Sequence, residues 1–261
     1  DQDLEDFDVR MEISTFFYRF GGMLIDVGRT DDAIGALERA LDLNGNHAPS
    51  LQLIGPLYTE TEAWRKAEKV YRQLLQLTGG QGDGDVVANT YTQLGLVERA
   101  LGNKAKARKR FNKAMEIQPQ HMGALKGMAL ILADEENWGE VLNYYNNIIF
   151  HATDPSDVIL AYMTKGRILD DHMGRPDKAS QHYERSLAFD ANQPLALLRL
   201  AELAMRDQDW SEASSQAQRG LHLGDARQPR PKGDWLQEKH QHGQALWREQ
   251  RHGFDLEDFS R

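Results

Sequence analysis

The sequence predicts an all-α protein: an α-solenoid of about six helix-turn-helix repeats with a C-terminal capping helix. Two observations predict it. A pattern of small and large apolar residues recurs at a spacing of 34 residues, and tryptophan occupies the same repeat position at Trp64, Trp138 and Trp210. A single helical hairpin cannot bury its apolar face, so such units stack on their neighbours.

The first 13 residues form an acidic segment before the first repeat. This segment contains the pentapeptide DLEDF at 3–7, and the same pentapeptide returns at 255–259, so neither copy falls within the repeats. In each copy Leu and Phe lie three residues apart, and one helical turn would place both on one face among acidic side chains. Two interpretations stay open: a short ligand for another surface, or a coincidence in an acidic chain.

Repeats one and two occupy 14–47 and 48–81. Their corresponding residues lie 34 positions apart, as Gly21, Gly28, Ala33, Leu37 and Ala40 and then as Gly55, Glu62, Ala67, Tyr71 and Leu74. A Gly-rich insert, assigned to 82–87, follows them. Such a segment is either a flexible hinge or a longer surface turn, and solenoids tolerate loop insertions.

Repeats three to six occupy 88–227, at 88–121, 122–155, 159–193 and 194–227. Repeat five carries one extra residue between Gly166 and Ala179. A linker, a capping helix from Trp235 to about Arg251 and an acidic tail are expected in 228–261, because Asp234 and Gln237 have the spacing of a capping box.

This pattern resembles the tetratricopeptide repeat, most closely in repeat three, with Tyr91, Leu94, Gly95, Ala107, Phe111, Ala114 and Pro119. Lys165 stands where the family has Leu, and Val141 replaces a small residue. The resemblance covers some four fifths of the chain. It implies a right-handed superhelix of probable bacterial type, in which the first helix of each repeat lines the concave side and holds a protein partner.

Composition narrows the function further. The net charge of −9 argues against nucleic acid as a main partner. Without cysteine there is no thiolate metal site or disulfide, which leaves the compartment open, with the cytoplasm slightly favoured over the periplasm. No membrane span is expected, and the chain begins with Asp, which suggests a trimmed N-terminus. With no catalytic constellation in the sequence, we expect a protein that is not an enzyme and has no cofactor and no metal.

The predicted groove consists of inward positions on the first helix of each repeat: Tyr18, Ile25, Gln52, Asn89, Thr92, Leu96, Arg99, Lys126, Leu130, Leu160, Met163, Arg167, Leu198, Glu202 and Met205. Tyr18 and Gly22 stand where chaperone-binding members of the family carry Lys and Asn, so an Hsp70- or Hsp90-type carboxylate clamp is not expected. Apolar residues with arginine and lysine beside them suit an acidic, amphipathic peptide or helix.

A basic ridge is a second candidate surface. Its residues lie on the second helix of repeat three: Lys106, Arg108, Lys109, Arg110 and Lys113. It would dock an acidic partner, or it only keeps the helix soluble.

Three functions follow as hypotheses. The first is a non-catalytic scaffold or adaptor that binds a partner peptide or helix in the concave groove. The second is self-assembly, in which a terminal DLEDF segment docks on a neighbouring copy. The third is a regulatory domain of a larger enzyme or of a secretion or envelope assembly machine.

Overall fold

The computed structural model describes residues 2–79 and 83–225, and side chains from Asp8 to Gly220 within those ranges. The chain divides into two compact units, Asp1–His151 and Ala152–Arg261. Every regular element of the described residues is helical, so the fold class is all-α, as the sequence predicts.

Unit 1 consists of four helical hairpins. They are formed by α1 (Gln2–Asp26) with α2 (Thr30–Leu43), α3 (Ala48–Glu60) with α4 (Trp64–Thr78), α5 (Gly84–Ala100) with α6 (Lys104–Ile117), and α7 (Met122–Ala133) with α8 (Trp138–His151). Each hairpin packs on the next, which is the stacking that a solenoid requires.

Unit 2 contains two hairpins within the described residues. They are formed by α9 (Pro155–Arg167) with α10 (Pro176–Phe189), and by α11 (Pro194–Arg206) with α12 (Trp210–Asp225). A π-helical turn at Ile168–His172 continues α9. Proline is the first residue of α9, α10 and α11, where its missing N–H removes no helical hydrogen bond.

The turn inside each hairpin contains one residue in the left-handed conformation, with φ between 56° and 80°: Gly28, Glu62, Gly102, Glu136, Gly174 and Gln208. Consecutive pairs of this list lie 34 residues apart, in phase with the sequence repeat. Glycine adopts this conformation without a steric penalty, whereas the other residues do so at a cost of about 1 kcal/mol. The turn geometry is therefore kept even where the sequence does not supply glycine.

The core of each hairpin depends on a large side chain of the second helix that lies against a glycine of the first. A Cβ added to Gly21 would lie 2.8 Å from Leu37, and one added to Gly55 would lie 2.7 Å from Tyr71. Gly166 stands in the same relation to Tyr183. The small residues recognised in the sequence repeat thus let the two helices approach closely.

The extra residue of repeat five corresponds to the π-helical turn. This turn lies between Gly166 and Ala179, the interval in which the sequence is one residue too long. A π-helical turn accommodates one additional residue within a continuous helix. The contact between Tyr183 and Gly166 is consequently retained, although the two residues are 17 apart instead of the 16 that separate Tyr71 from Gly55.

Several sequence predictions concern residues at the edges of the described ranges. The acidic segment 1–13 is continuous with the first repeat, because α1 begins at Gln2 and includes the backbone of the first DLEDF copy. After the Gly-rich stretch, α5 begins at Gly84, so residues 84–87 are its first turn. Residues 80–82, the capping helix at 235–251 and the second DLEDF copy lie outside the described residues.

We expect Gly95→Ala to destabilise unit 1 by about 1–3 kcal/mol. Phe111 is fully buried between α5 and α7, and a Cβ on Gly95 would lie 2.6 Å from its ring. The matched control is Gly35→Ala, within α2, where a Cβ meets nothing within 4 Å. That change is expected to raise stability by about 0.5–1 kcal/mol. Urea denaturation followed by far-UV circular dichroism measures both, and equal midpoints for the two variants would contradict the packing described.

Candidate functional site on the first helices of the repeats

The predicted groove residues differ in how much of each side chain solvent can reach. Four are exposed, namely Gln52, Asn89, Leu198 and Met205. Ten are half-buried: Tyr18, Ile25, Leu96, Arg99, Lys126, Leu130, Leu160, Met163, Arg167 and Glu202. Thr92 alone of the set is buried, at 3% exposure. The residues from α1 to α7 belong to unit 1, and those of α9 and α11 belong to unit 2.

In unit 1, His121 links α5 to α7. Its Nε2 donates to Asn89 Oδ1 at 2.9 Å, and its Nδ1 accepts from the backbone N–H of Ala124 at 3.1 Å. The second bond caps the N-terminus of α7, and the neutral ring with its proton on Nε2 makes both bonds. His47 caps α3 in the same way through Ser50.

Sequence analysis did not assign a role to these two histidines. Both directly precede the first helix of a repeat, His47 before Ala48 and His121 before Met122, and this shared position is the signal that could have identified them. It also predicted Thr92 on the groove surface, whereas the structure buries it. Thr92 lies against Gly123, where a Cβ would approach its methyl group to 3.0 Å, and its hydroxyl donates to Ala88 O at 2.9 Å.

The cationic side of the unit 1 surface is already engaged in an ion pair. Arg99 donates to both carboxylate oxygens of Asp134, with N–O distances of 2.8 and 2.9 Å. Asp134 lies in the turn after α7, so this pair joins two successive repeats. A ligand carboxylate would therefore have to compete with Asp134 for Arg99.

In unit 2, α11 presents a row of exposed apolar side chains. Leu195, Leu198 and Met205 expose 47%, 48% and 46% of their surface. Their spacing places them along one face of the helix, while Leu197, Leu200 and Ala204 on the opposite face are buried. Leu160 and Met163 of α9 are half-buried, and Met163 Sδ accepts from Ser186 Oγ at 3.3 Å, so Met163 also packs against α10.

Buried charge in unit 2 lies at the π-helical turn. Asp170 is 4% exposed in its side chain and accepts two hydrogen bonds from Arg206 Nη2, at 2.7 and 2.6 Å. Nearby, burial lowers the pKa of His182 to about 4, and the positive charges of Lys165 and Arg185 lower it further. Burial also lowers the pKa of Lys165, the residue that departs from the family pattern.

The basic ridge on α6 is partly neutralised by neighbouring acids. Arg108 binds Glu135 at 2.7 Å, and Lys113 binds Glu116 at 2.5 Å. Lys106 and Lys109 are exposed, and Arg110 is half-buried. The ridge is therefore less basic than its sequence indicates, because two of its five cations already have carboxylate partners.

Two searches of the described residues gave negative results. In residues 2–79 and 83–225, no helix combines the length and apolar content of a membrane span. The same residues contain no group of three or more His, Asp and Glu side chains that could hold a metal ion.

Comparison with known proteins identifies the repeat. Residues 54–120 match the family model described as tetratricopeptide repeat. The chain is 25% identical to the type IV pilus assembly protein PilF of Pseudomonas aeruginosa, over 49% of this chain and 64% of PilF, which is just under two thirds of that relative.

Two solved structures share the fold. The Pseudomonas aeruginosa PilF structure superposes with a TM-score of 0.60 at 18% identity, covering 90% of this chain and 98% of PilF. YrrB, described as a TPR protein with an unusual peptide-binding site, gives a TM-score of 0.50 at 21% identity, covering 69% of this chain and 88% of YrrB.

Acidification should destabilise unit 1 through His121. Burial lowers the pKa of His121 below its ordinary value of 6.5, against a smaller opposing effect of Asp85. The stability contributed by the neutral ring is present above about pH 6.5 and is lost as the pH falls through the folded-state pKa. In His121→Asp a carboxylate replaces the ring as the capping group. We expect its urea midpoint to fall less than that of the wild type between about pH 7.5 and 5.5; parallel falls would contradict this role.

Removing Arg206 should destabilise unit 2. Arg206→Ala leaves the buried Asp170 carboxylate without its bidentate partner, and we expect a loss of about 2 kcal/mol. The control is Arg199→Ala, because the Arg199–Glu202 pair is more exposed and its loss is expected to cost less than about 1 kcal/mol. Urea denaturation measures both, and an effect of Arg206→Ala no larger than the control would show that the pair does not stabilise the π-helical turn.

Proposed function

Because the chain carries tetratricopeptide repeats, we propose that it is a non-catalytic scaffold that binds a peptide or helix of a partner protein on the first helices of its repeats. The tetratricopeptide fold supports protein–protein interaction in general. The finer assignment rests on one observation, the apolar row of Leu195, Leu198 and Met205 on α11.

The α11 row has the dimensions of a helix-binding surface. Leu195 and Met205 are ten residues apart, so the row extends along about 15 Å of helix axis. Apolar side chains exposed in a contiguous row mark binding surfaces more often than isolated ones do. A partner helix with apolar residues at positions i, i+3 or i+4, and i+7 would cover it.

Arginine side chains flank the α11 row and favour an acidic partner. Arg206 is adjacent to Met205 and stays 55% exposed although it binds Asp170. Arg199 is adjacent to Leu198 and binds Glu202 at 3.1 Å. Acidic residues at the edges of an amphipathic ligand would lie near these guanidinium groups, which raises the association rate and fixes the orientation of the ligand.

The comparisons support this proposal in general terms. YrrB is described as having a peptide-binding site, and PilF as a pilus assembly protein. The similarity to PilF favours a second candidate, in which the bound partner is a subunit of an envelope assembly machine. If this is correct, cells that lack the gene will lose a surface appendage or secretion apparatus, and the wild-type gene will restore it.

Leu198→Glu/Met205→Glu should abolish partner binding. Two carboxylates in the centre of the α11 row would be desolvated by an apolar ligand, so we expect affinity to fall by 100-fold or more. The measurement is isothermal titration calorimetry with the partner fragment that is recovered by crosslinking and mass spectrometry.

Phe150→Glu is the matched control for this test. Phe150 is the most exposed large apolar side chain of the described residues and lies on α8, the second helix of its repeat. This variant should bind like the wild type. Equal loss in both variants would indicate a general effect of added charge, and retained binding in Leu198→Glu/Met205→Glu would exclude the α11 row as the site.

A further inference from the structure

Helix α1 carries an exposed apolar stripe that none of the predicted sites includes. The α1 stripe consists of six side chains with exposures between 41% and 68%: Val9, Ile13, Phe16, Phe20, Met23 and Val27. The rings of Phe16 and Phe20 stack on each other, with centroids 6.2 Å apart. The stripe extends for about 27 Å along the helix and the turn that follows it.

The rest of the hairpin fixes this stripe on the outside. On the opposite face of α1, the Ser14 hydroxyl donates to Ala40 O at 2.8 Å, and Gly21 lies against Leu37. Leu24 on the same face is buried. Rotation of α1 that would hide the stripe would break these contacts, so the apolar side chains must be covered by something other than α2.

The spacing of the stripe is that of a two-helix interface. Successive members lie 4, 3, 4, 3 and 4 residues apart, which is the heptad spacing of a coiled-coil seam. A seam of this kind is covered by one further helix with the same spacing. The order of intervals is also the same from either end, which is the condition for a helix to pair with an antiparallel copy of itself about a two-fold axis.

We propose that a second copy of this chain covers the stripe, through an antiparallel pairing of the two α1 helices. With the axis near Tyr18, Phe16 of one copy lies opposite Phe20 of the other, Ile13 opposite Met23, and Val9 opposite Val27. All six apolar side chains of each copy are then used, and Phe16 and Phe20 of the two copies form one central aromatic cluster.

Charge favours the antiparallel arrangement over the parallel one. Residues 1–12 contain six acidic side chains and one basic side chain, Arg10. A parallel pair would bring the two acidic ends together, with mutual repulsion. In the antiparallel pair each acidic end lies beside the other end of the partner helix, where Arg19 and Arg29 reside.

The first test measures the mass of the full chain in solution. We expect light scattering to give twice the mass of one chain at tens of micromolar, and the mass of one chain for Phe16→Glu/Phe20→Glu. Both residues are exposed, so helicity measured by circular dichroism should be retained. Leu198→Glu/Met205→Glu, in unit 2, should stay dimeric, which separates this interface from the proposed ligand surface. A monomeric wild type, or a dimer that persists in Phe16→Glu/Phe20→Glu, would overturn the proposal.

The second test determines the direction of pairing and uses the absence of native cysteine. Ile13→Cys and Met23→Cys are prepared separately, mixed and oxidised. In the antiparallel dimer residue 13 lies opposite residue 23, so the mixture should form a disulfide-linked heterodimer. Two copies of residue 13 would be about 15 Å apart, beyond the reach of a disulfide. Crosslinking of Ile13→Cys alone at the same rate would overturn the antiparallel arrangement.

Discussion

The close approach of a large side chain to a glycine is the contact on which each hairpin depends. Phe111 is the clearest case, because its ring lies between Gly95 of its own hairpin and Gly127 of the next. One side chain therefore sets the distance within a repeat and between two repeats. Since protein interiors are close-packed, this spacing fixes which face of each first helix turns inward and which face solvent and partners can reach.

The exposed faces carry different chemistry in the two units. In unit 1 the groove positions form an organised polar network, in which His121 and Asp134 already satisfy Asn89 and Arg99. In unit 2 the corresponding face of α11 is apolar and flanked by arginine. The fold is thus a common frame, and the residues placed on it determine what each unit binds.

The sequence predicted the fold well because the relevant signals are local and periodic. Gly95 and Phe111 identify a hairpin from spacing alone. The groove was harder to predict, because the state of a side chain depends on neighbours 30 or more residues away: Arg99 is bound by Asp134, and Thr92 is buried beneath Gly123. The stripe on α1 was missed because the predicted boundary at residue 13 divided one continuous helix into two segments.

The π-helical turn at Ile168–His172 has a consequence for how such arrays change over evolutionary time. An inserted residue would ordinarily rotate everything after it by about 100° around the helix axis and place polar residues in the core. Here the insertion is absorbed within a single turn, and Tyr183 still lies on Gly166. A repeat array can therefore accept an insertion inside a helix without losing the phase of the repeats that follow.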